Sequence, residues 1–197
     1  MSNQPVQLGN PILRQVAQCV QCVDKPEIQA LIDKMLDVLQ QSNGVGIASP
    51  QLGVSRRILV VASHPNPRYP YAPMMAPTPM INPELISYQG TPEKDWEGCL
   101  SVPDQRGLVP RYPTIEVSYC DRQGQPQRQT LVGFVARIFQ HELDHLNGKV
   151  FLDRVEGPED LFTEAEFLTK IAGRGVATAS ARPYRLTSPA AGRGRPN

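Results

Sequence analysis

Four cysteines in 197 residues are too few for a disulfide scaffold. A cysteine that matters here is therefore expected to serve metal binding or catalysis. No run approaches the roughly 18 apolar residues that a membrane span requires. The opening stretch MSNQPVQLGNPILRQ also lacks the charged-then-apolar layout of a secretory signal. A soluble protein kept inside the cell is the expectation. No internal repeat occurs, and at 40% apolar and 20% charged residues the chain is slightly lean in both. From Gly173 onward acid is missing altogether, while Arg174, Arg182, Arg185, Arg193 and Arg195 follow one another; the net charge of +1 hides this asymmetry. What the chain has in quantity is proline (20) and glycine (15), which promise many loops and short strands. Its length suits one compact core, which at this size buries about 70% of the unfolded surface. We expect a single catalytic domain over residues 1–172 and a disordered basic tail over 173–197, where large apolar side chains are too few to offset the entropy of ordering.

Ile28, Leu31, Ile32, Met35, Leu36 and Leu39 recur at helical spacing. They predict an amphipathic helix opened by a reciprocal cap between Asp24 and Glu27 and closed near Asn43 and Gly44. RRILVVAS (56–63) and MINPELISY read as strands, and TIEVSYCD with PQRQTLVG as a pair joined by the turn RQGQ. HPNPRYPYAPMMAPTP, crowded with proline, predicts a long surface loop in which His64 is solvated. GPEDLFTEAEFLTKIAG predicts one further helix.

From Phe134 the period changes. Phe134, Ile138, His141 and His145 fall along one helical face, so FQHELDHLNG (139–148) lies on a helix. Residues four apart point the same way, and His141 and His145 can aim a ring nitrogen each at one divalent cation. Glu142, one residue round, stands close enough to take a proton from water activated there. That is a hydrolase's equipment; the plain alternative is a charged helix that happens to spell H-E-x-x-H. A third ligand is needed. The extended motif with a third histidine fails, because Phe151 occupies the required position. Glu164 or Glu166 on a later helix is possible by spacing, and a protease would follow. Cys99 in WEGCLSVP is the other candidate, giving a Cys-His-His set with one coordination position open. A closed Cys-His-His-Cys site with Cys120 or Cys22, in a module whose basic tail docks on RNA, is a third reading.

Three ordered blocks, GVGIASPQ (44–51), EGCLS (97–101) and QHELDH (140–145), resemble peptide deformylase, and the similarity runs from about Leu8 to about Val155. The resemblance implies an enzyme that removes the formyl group from the N-terminal formylmethionine of nascent polypeptides, releasing formate. It makes Cys99, His141 and His145 the metal ligands, with Fe²⁺ usual in the family, Ni²⁺ and Co²⁺ tolerated, and Zn²⁺ often poorer. Glu142 becomes the general acid and base. Gln51 and the backbone N–H of Leu100 become donors to the developing oxyanion. The segment Gly44, Val45, Gly46 would pair with the peptide backbone as an added strand. Val45, Phe134 and Ile138 would receive the methionine side chain, with Glu97 and Arg106 lining the same region. Arg137, in that helix, needs a partner or must turn away from the cation, and Ser49 adds a hydroxyl near Gln51. Cys19 and Cys22 form a C-x-x-C that nothing else in the chain completes.

The fold expected is α+β, with short antiparallel strands surrounding a central metal-binding helix and an N-terminal and a C-terminal helix outside. The expected partners are an N-formylmethionyl peptide and, through the arginine tail, ribosomal RNA; neither membrane nor DNA is among them. A bacterial-type cytoplasm is the expected location, an organelle being the alternative.

Overall fold

The computed structural model describes residues 4–172, and the basic tail lies outside them. The apolar repeat after Pro26 forms helix α1 (Pro26–Gln41). Proline in the first turn suits a position whose N–H has no intrahelical partner. It also sets the start so that Lys25 is the N-cap, with no side-chain bond. The expected Asp24–Glu27 cap therefore does not form, because Asp24 lies one residue too early to reach the first amides. Asn43 takes the left-handed conformation at φ 51°, and the Gly44 N–H closes the helix on the Leu39 carbonyl at 3.0 Å.

The remaining elements follow as β1 (Gly46–Ala48), β2 (Ile58–Ser63), β3 (Met75–Gln89), β4 (Glu93–Cys99), β5 (Val102–Arg111), β6 (Thr114–Cys120), β7 (Pro126–Val132), α2 (Gly133–Leu146), β8 (Leu161–Thr163) and α3 (Glu164–Ala172). All strand pairs are antiparallel. One sheet has the order β1-β2-β3-β6-β7, the other β4-β5-β8.

Strand β2 is buried along its whole length, and its period of two divides it between two cores. Ile58, Val60 and Ala62 pack with Ile32, Met35 and Leu39 of α1. Leu59 and Val61 pack with Val135, Phe139 and Leu146 of α2. Each such buried aliphatic side chain contributes about 1.5–3 kcal/mol relative to exposure. The five-stranded sheet thus separates the two helices. Helix α2 is covered on its other side as well, since 11 of its 14 residues are buried, among them Arg137, Gln140, His141, Glu142, Asp144 and His145. Bonds from this polar stripe reach β4 and β5 of the second sheet. The helix that carries His141 and His145 lies at the centre, as expected.

Two further expectations need correction. The proline-rich stretch is a surface loop only up to Met74, because β3 begins at Met75. Its prolines Pro77 and Pro79 are tolerated because this half of β3 pairs with β2 alone, pairing with β6 starting at Ile81. The C-terminal helix is also shorter than expected. Leu161–Thr163 pair with the edge of β5, and the helix starts only at Glu164, where Thr163 and Glu166 cap each other reciprocally. No helix among the described residues is long and apolar enough to cross a membrane.

Candidate active site

Cys99 ends β4, and His141 and His145 lie one turn apart on α2. Their ligand atoms all fall within 4.8 Å of one another, with the Cys99 sulfur 3.1 Å from His145 Nε2. His141 Nδ1 is bonded to Glu97 Oε2 at 2.8 Å, which leaves Nε2 free for a cation, the arrangement ligating histidines adopt. Burial pushes the Cys99 thiol up, but His145 and His141 outweigh it and hold the thiol well below its usual value. Thiolate character is what a transition-metal ligand requires. One buried polar atom beside this group, Glu142 Oε2, has no hydrogen-bond partner among the described residues. Donor type, spacing and orphaned polarity all fit one divalent metal ion. Glu164 and Glu166 do not join this group. Glu164 pairs with Arg106 and Glu166 with Thr163. Cys120 packs against the α1 cluster and Cys22 is exposed, so neither supplies a fourth ligand.

Glu142 is buried, and that burial pushes its carboxyl up to about 7, against the pull of His141 and His145. The backbone of β1 runs directly against it. A Cβ built on Gly46 would lie 2.4 Å from Glu142 Oε1 and 2.8 Å from Ile138 Cγ2. Only glycine allows that approach. Strand β1 pairs with β2 on one side only, and among the described residues no strand pairs with its other edge.

Gln51 sits in the 3-10 turn Ser49–Leu52 that follows β1. Its Oε1 accepts from the Ala48 N–H at 2.8 Å, which turns Nε2 toward Cys99 Sγ and Ser101 Oγ, each at 3.4 Å. The N-terminal segment bridges this turn and the residues after Cys99, Val6 N–H bonding the Gln51 carbonyl and Leu8 N–H that of Ser101. Ser49 is directed elsewhere, donating to the Arg56 carbonyl, so its hydroxyl does not assist Gln51.

Glu97 does more than line the cleft. Besides His141, it accepts from Arg111 Nε at 2.8 Å and Nη2 at 3.0 Å and from Arg137 Nη1 at 3.1 Å. Burial pushes its carboxyl up, and Arg111 with His141 outweighs it, holding Glu97 well below the usual carboxylate range. Arg137 meets its partner here and also donates to the Val109 and Glu93 carbonyls. Arg111 reaches on to Asp144 at 2.7 Å, which Arg154 also holds.

Arg106 is buried against Glu164 and the Phe167 ring of α3 and donates to the Tyr69 hydroxyl at 3.2 Å. Tyr69 in turn packs on Phe134. Arg106, Glu164, Tyr69 and Phe134, with Gly44, Val45, Gly46, Gln51, Glu97, Leu100, Ile138, Glu142 and the two ligands Cys99 and His141, line one open cavity of about 350 Å³, and His145 is fully buried beside Cys99. All the expected site residues therefore converge.

Arg111, Asp144 and Tyr69 were missed. Asp144 carried a signal, standing on the helix three residues after His141; Arg111 and Tyr69 carried none. Cys19 and Cys22 are exposed and do not line the cavity, and His64 is bonded to Asn43 at 2.8 Å.

A cleft so built belongs to the class of hydrolases that work from an H-E-x-x-H helix with a cysteine supplied by another part of the chain. Comparison with known proteins narrows the class. The polypeptide deformylase family profile matches residues 3–160. Peptide deformylase 2 of Nostoc sp. is 56% identical over 162 residues, covering 82% of this chain and 90% of that protein. Peptide deformylase 2 of Bordetella bronchiseptica is 43% identical over 150 residues, covering 76% and 85%. A Met-Ala-Ser-bound class I type b peptide deformylase from Acinetobacter baumannii superposes with a TM-score of 0.75 at 42% identity, over 77% of this chain and 96% of that one. A deformylase from Synechococcus elongatus in complex with actinonin gives 0.70 at 34%, over 92% and 90%. The chain belongs to the polypeptide deformylase family, hydrolases that remove the formyl group from nascent peptides.

Proposed function

We propose that residues 1–172 form one catalytic unit that hydrolyses N-formylmethionyl peptides, with one divalent cation held by Cys99, His141 and His145. The observation that carries this reading is the convergence of those three donors within 4.8 Å of one another, two of them, Cys99 and His141, on the wall of the cleft that Glu142 and Gln51 share. The cation, which we assign as Fe²⁺ ahead of Ni²⁺, Co²⁺ or Zn²⁺, supplies a Lewis acid that makes water nucleophilic near neutral pH. Glu142 takes the proton of the attacking water and delivers it to the departing nitrogen, a task suited to a carboxyl whose burial raises its proton affinity.

Gln51 Nε2 and the Leu100 N–H donate to the formyl oxygen as negative charge gathers there. The Ala48 N–H fixes the Gln51 amide beforehand, so no reorganisation is needed during the reaction. The edge of β1 away from β2 receives the peptide backbone, which makes recognition independent of most side chains. Val45, Phe134 and Ile138 receive the methionine side chain. Glu97 acts through His141, holding its ring in the ligating tautomer, and Arg106 forms part of the cleft wall.

Met-Ala-Ser, which the Acinetobacter relative holds, suggests the substrate for the decisive test. Anaerobically purified protein should release formate from formyl-Met-Ala-Ser in proportion to its bound metal. Protein with a full complement of metal and no formate release would overturn the reading. A cytoplasmic location, and ribosome contact through the arginines after Gly173, belong to the same proposal. Removal of the chain after Ala172 should weaken ribosome association at low salt.

A further inference from the structure

Most charges around the cleft are spoken for at its metal end. Arg137 and Arg111 meet Glu97, and Arg111 also meets Asp144. The cavity lining also includes Arg106, Glu164, Arg68 and Asp104. Arg106 is nine-tenths or more buried, its side chain 6% accessible against 31% for Glu164. Its guanidinium is held on every side. Nε and Nη2 meet the two Glu164 oxygens, the latter at 3.0 Å. Nη1 donates to Tyr69, the group sits 4.8 Å from the Phe167 ring centre, and it lies so close over Gly98 that a Cβ there would be 1.9 Å from Nη1. Packing therefore keeps the cation in the cleft wall whether or not Glu164 is charged. Glu164 alone decides whether that cation is neutralised.

We infer that Glu164 is a specificity-determining residue: by occupying Nε and Nη2 of Arg106 in the cleft wall it keeps the cleft from capturing peptides with an acidic side chain after the methionine. The inference rests on the proposed deformylase reading. Without the Glu164 charge the fixed guanidinium is an unopposed cation, at most one of its two donors staying held by the amide oxygen of a glutamine there, and it can take a peptide carboxylate. An enzyme that processes many different chains must not hold the acidic ones.

The test uses the full-length, metal-loaded protein and its Glu164→Gln variant. Formyl-Met-Glu-Ser is compared with formyl-Met-Gln-Ser, and formyl-Met-Ala-Glu with formyl-Met-Ala-Gln. In one pair or both, the acidic-to-neutral ratio of 1/KM should rise about tenfold in E164Q and return toward the wild-type value at high salt. Ratios that do not move, including a uniform rise in KM for all four peptides, would reduce Glu164 to a support for α3 and overturn the inference. Arg106→Gln provides the opposite arm, because the unopposed Glu164 should then favour formyl-Met-Lys-Ser over its glutamine counterpart; no such preference also counts against it. Calorimetric binding of the deformylated peptides Met-Glu-Ser and Met-Gln-Ser needs no turnover. A ratio that shifts in binding while no variant releases formate would sink the deformylase reading and leave the charge role intact.

Discussion

Replacing Glu97 tests the site at the point where its fold and its chemistry meet. The side chain is 4% exposed and takes four hydrogen bonds, two from Arg111 and one each from Arg137 and His141. Removing one member of a buried ion pair costs about 3–5 kcal/mol, because its partner stays buried and unpaired. Here the cost should sit near the lower end. Arg111 keeps Asp144 at 2.7 Å, and Arg137 keeps the Val109 and Glu93 carbonyls at 2.7 and 2.6 Å. A loss of about 3 kcal/mol in a domain of this size lowers Tm by roughly 6–12 °C. His141 loses the acceptor that fixes its tautomer, and such losses weaken metal binding about 10- to 100-fold. Glu97→Ala should therefore show both effects, by calorimetric unfolding and by competition with a chromophoric chelator. Glu97→Gln separates them, since its amide oxygen can still accept from Nδ1 while the charge is gone. We expect Tm to fall almost as far and metal affinity to fall much less. Wild-type metal affinity in E97A would refute the coupling of Glu97 to the cation, and an unchanged Tm would refute its structural share.

Gly46→Ala places a methyl 2.4 Å from Glu142 Oε1 and should cut kcat about 10²-fold through displacement of that carboxylate, with metal content by atomic emission unaltered. Gln51→Leu removes an oriented donor and should lower kcat about 10²- to 10³-fold; a loss under threefold in steady-state assays would exclude oxyanion contact. Thr163→Ala deletes the cap of α3 and should cost about 1 kcal/mol, read as a Tm decrease of roughly 2–4 °C.

How much of this was legible in sequence depends on the distance over which each feature is encoded. The metal helix was, because His141, Glu142 and His145 and the apolar residues before them obey one short period. Strands β6 and β7 were legible for the same reason, joined by a short turn. Gln51 entered through resemblance rather than spacing, and Cys99, one of several candidate third ligands on donor chemistry, was singled out by it, since neither shares a short period with the metal helix and 48 residues separate them from each other. The α3 boundary was in plain view as the Thr163–Glu166 box, but the helical period of the residues around it was read as one element. What the sequence concealed was the partner of the polar stripe on α2. Arg137, Gln140, Glu142 and Asp144 on one helix imitate a solvated face, and only the pairing of Glu97 with Gly107 across β4 and β5 brings Glu97 and Arg111 over it.

That concealed network argues for its own purpose. Burying Glu97, Arg111, Arg137 and Asp144 carries a desolvation cost of several kcal/mol per charge, which their mutual attraction does little more than offset. Stability alone would be served as well by apolar side chains of similar volume. What those side chains cannot do is accept from His141 Nδ1 and hold the ring on its axis beside Cys99. Replacing the set together, with Glu97→Met, Arg111→Leu, Arg137→Met and Asp144→Leu, should leave Tm level or higher, in contrast to the single change at Glu97. Metal affinity should nevertheless fall at least tenfold. A quadruple variant that unfolds at lower temperature yet binds metal as the wild type does would show the charges to be there for the fold, and the reasoning that ties them to the cation would be lost.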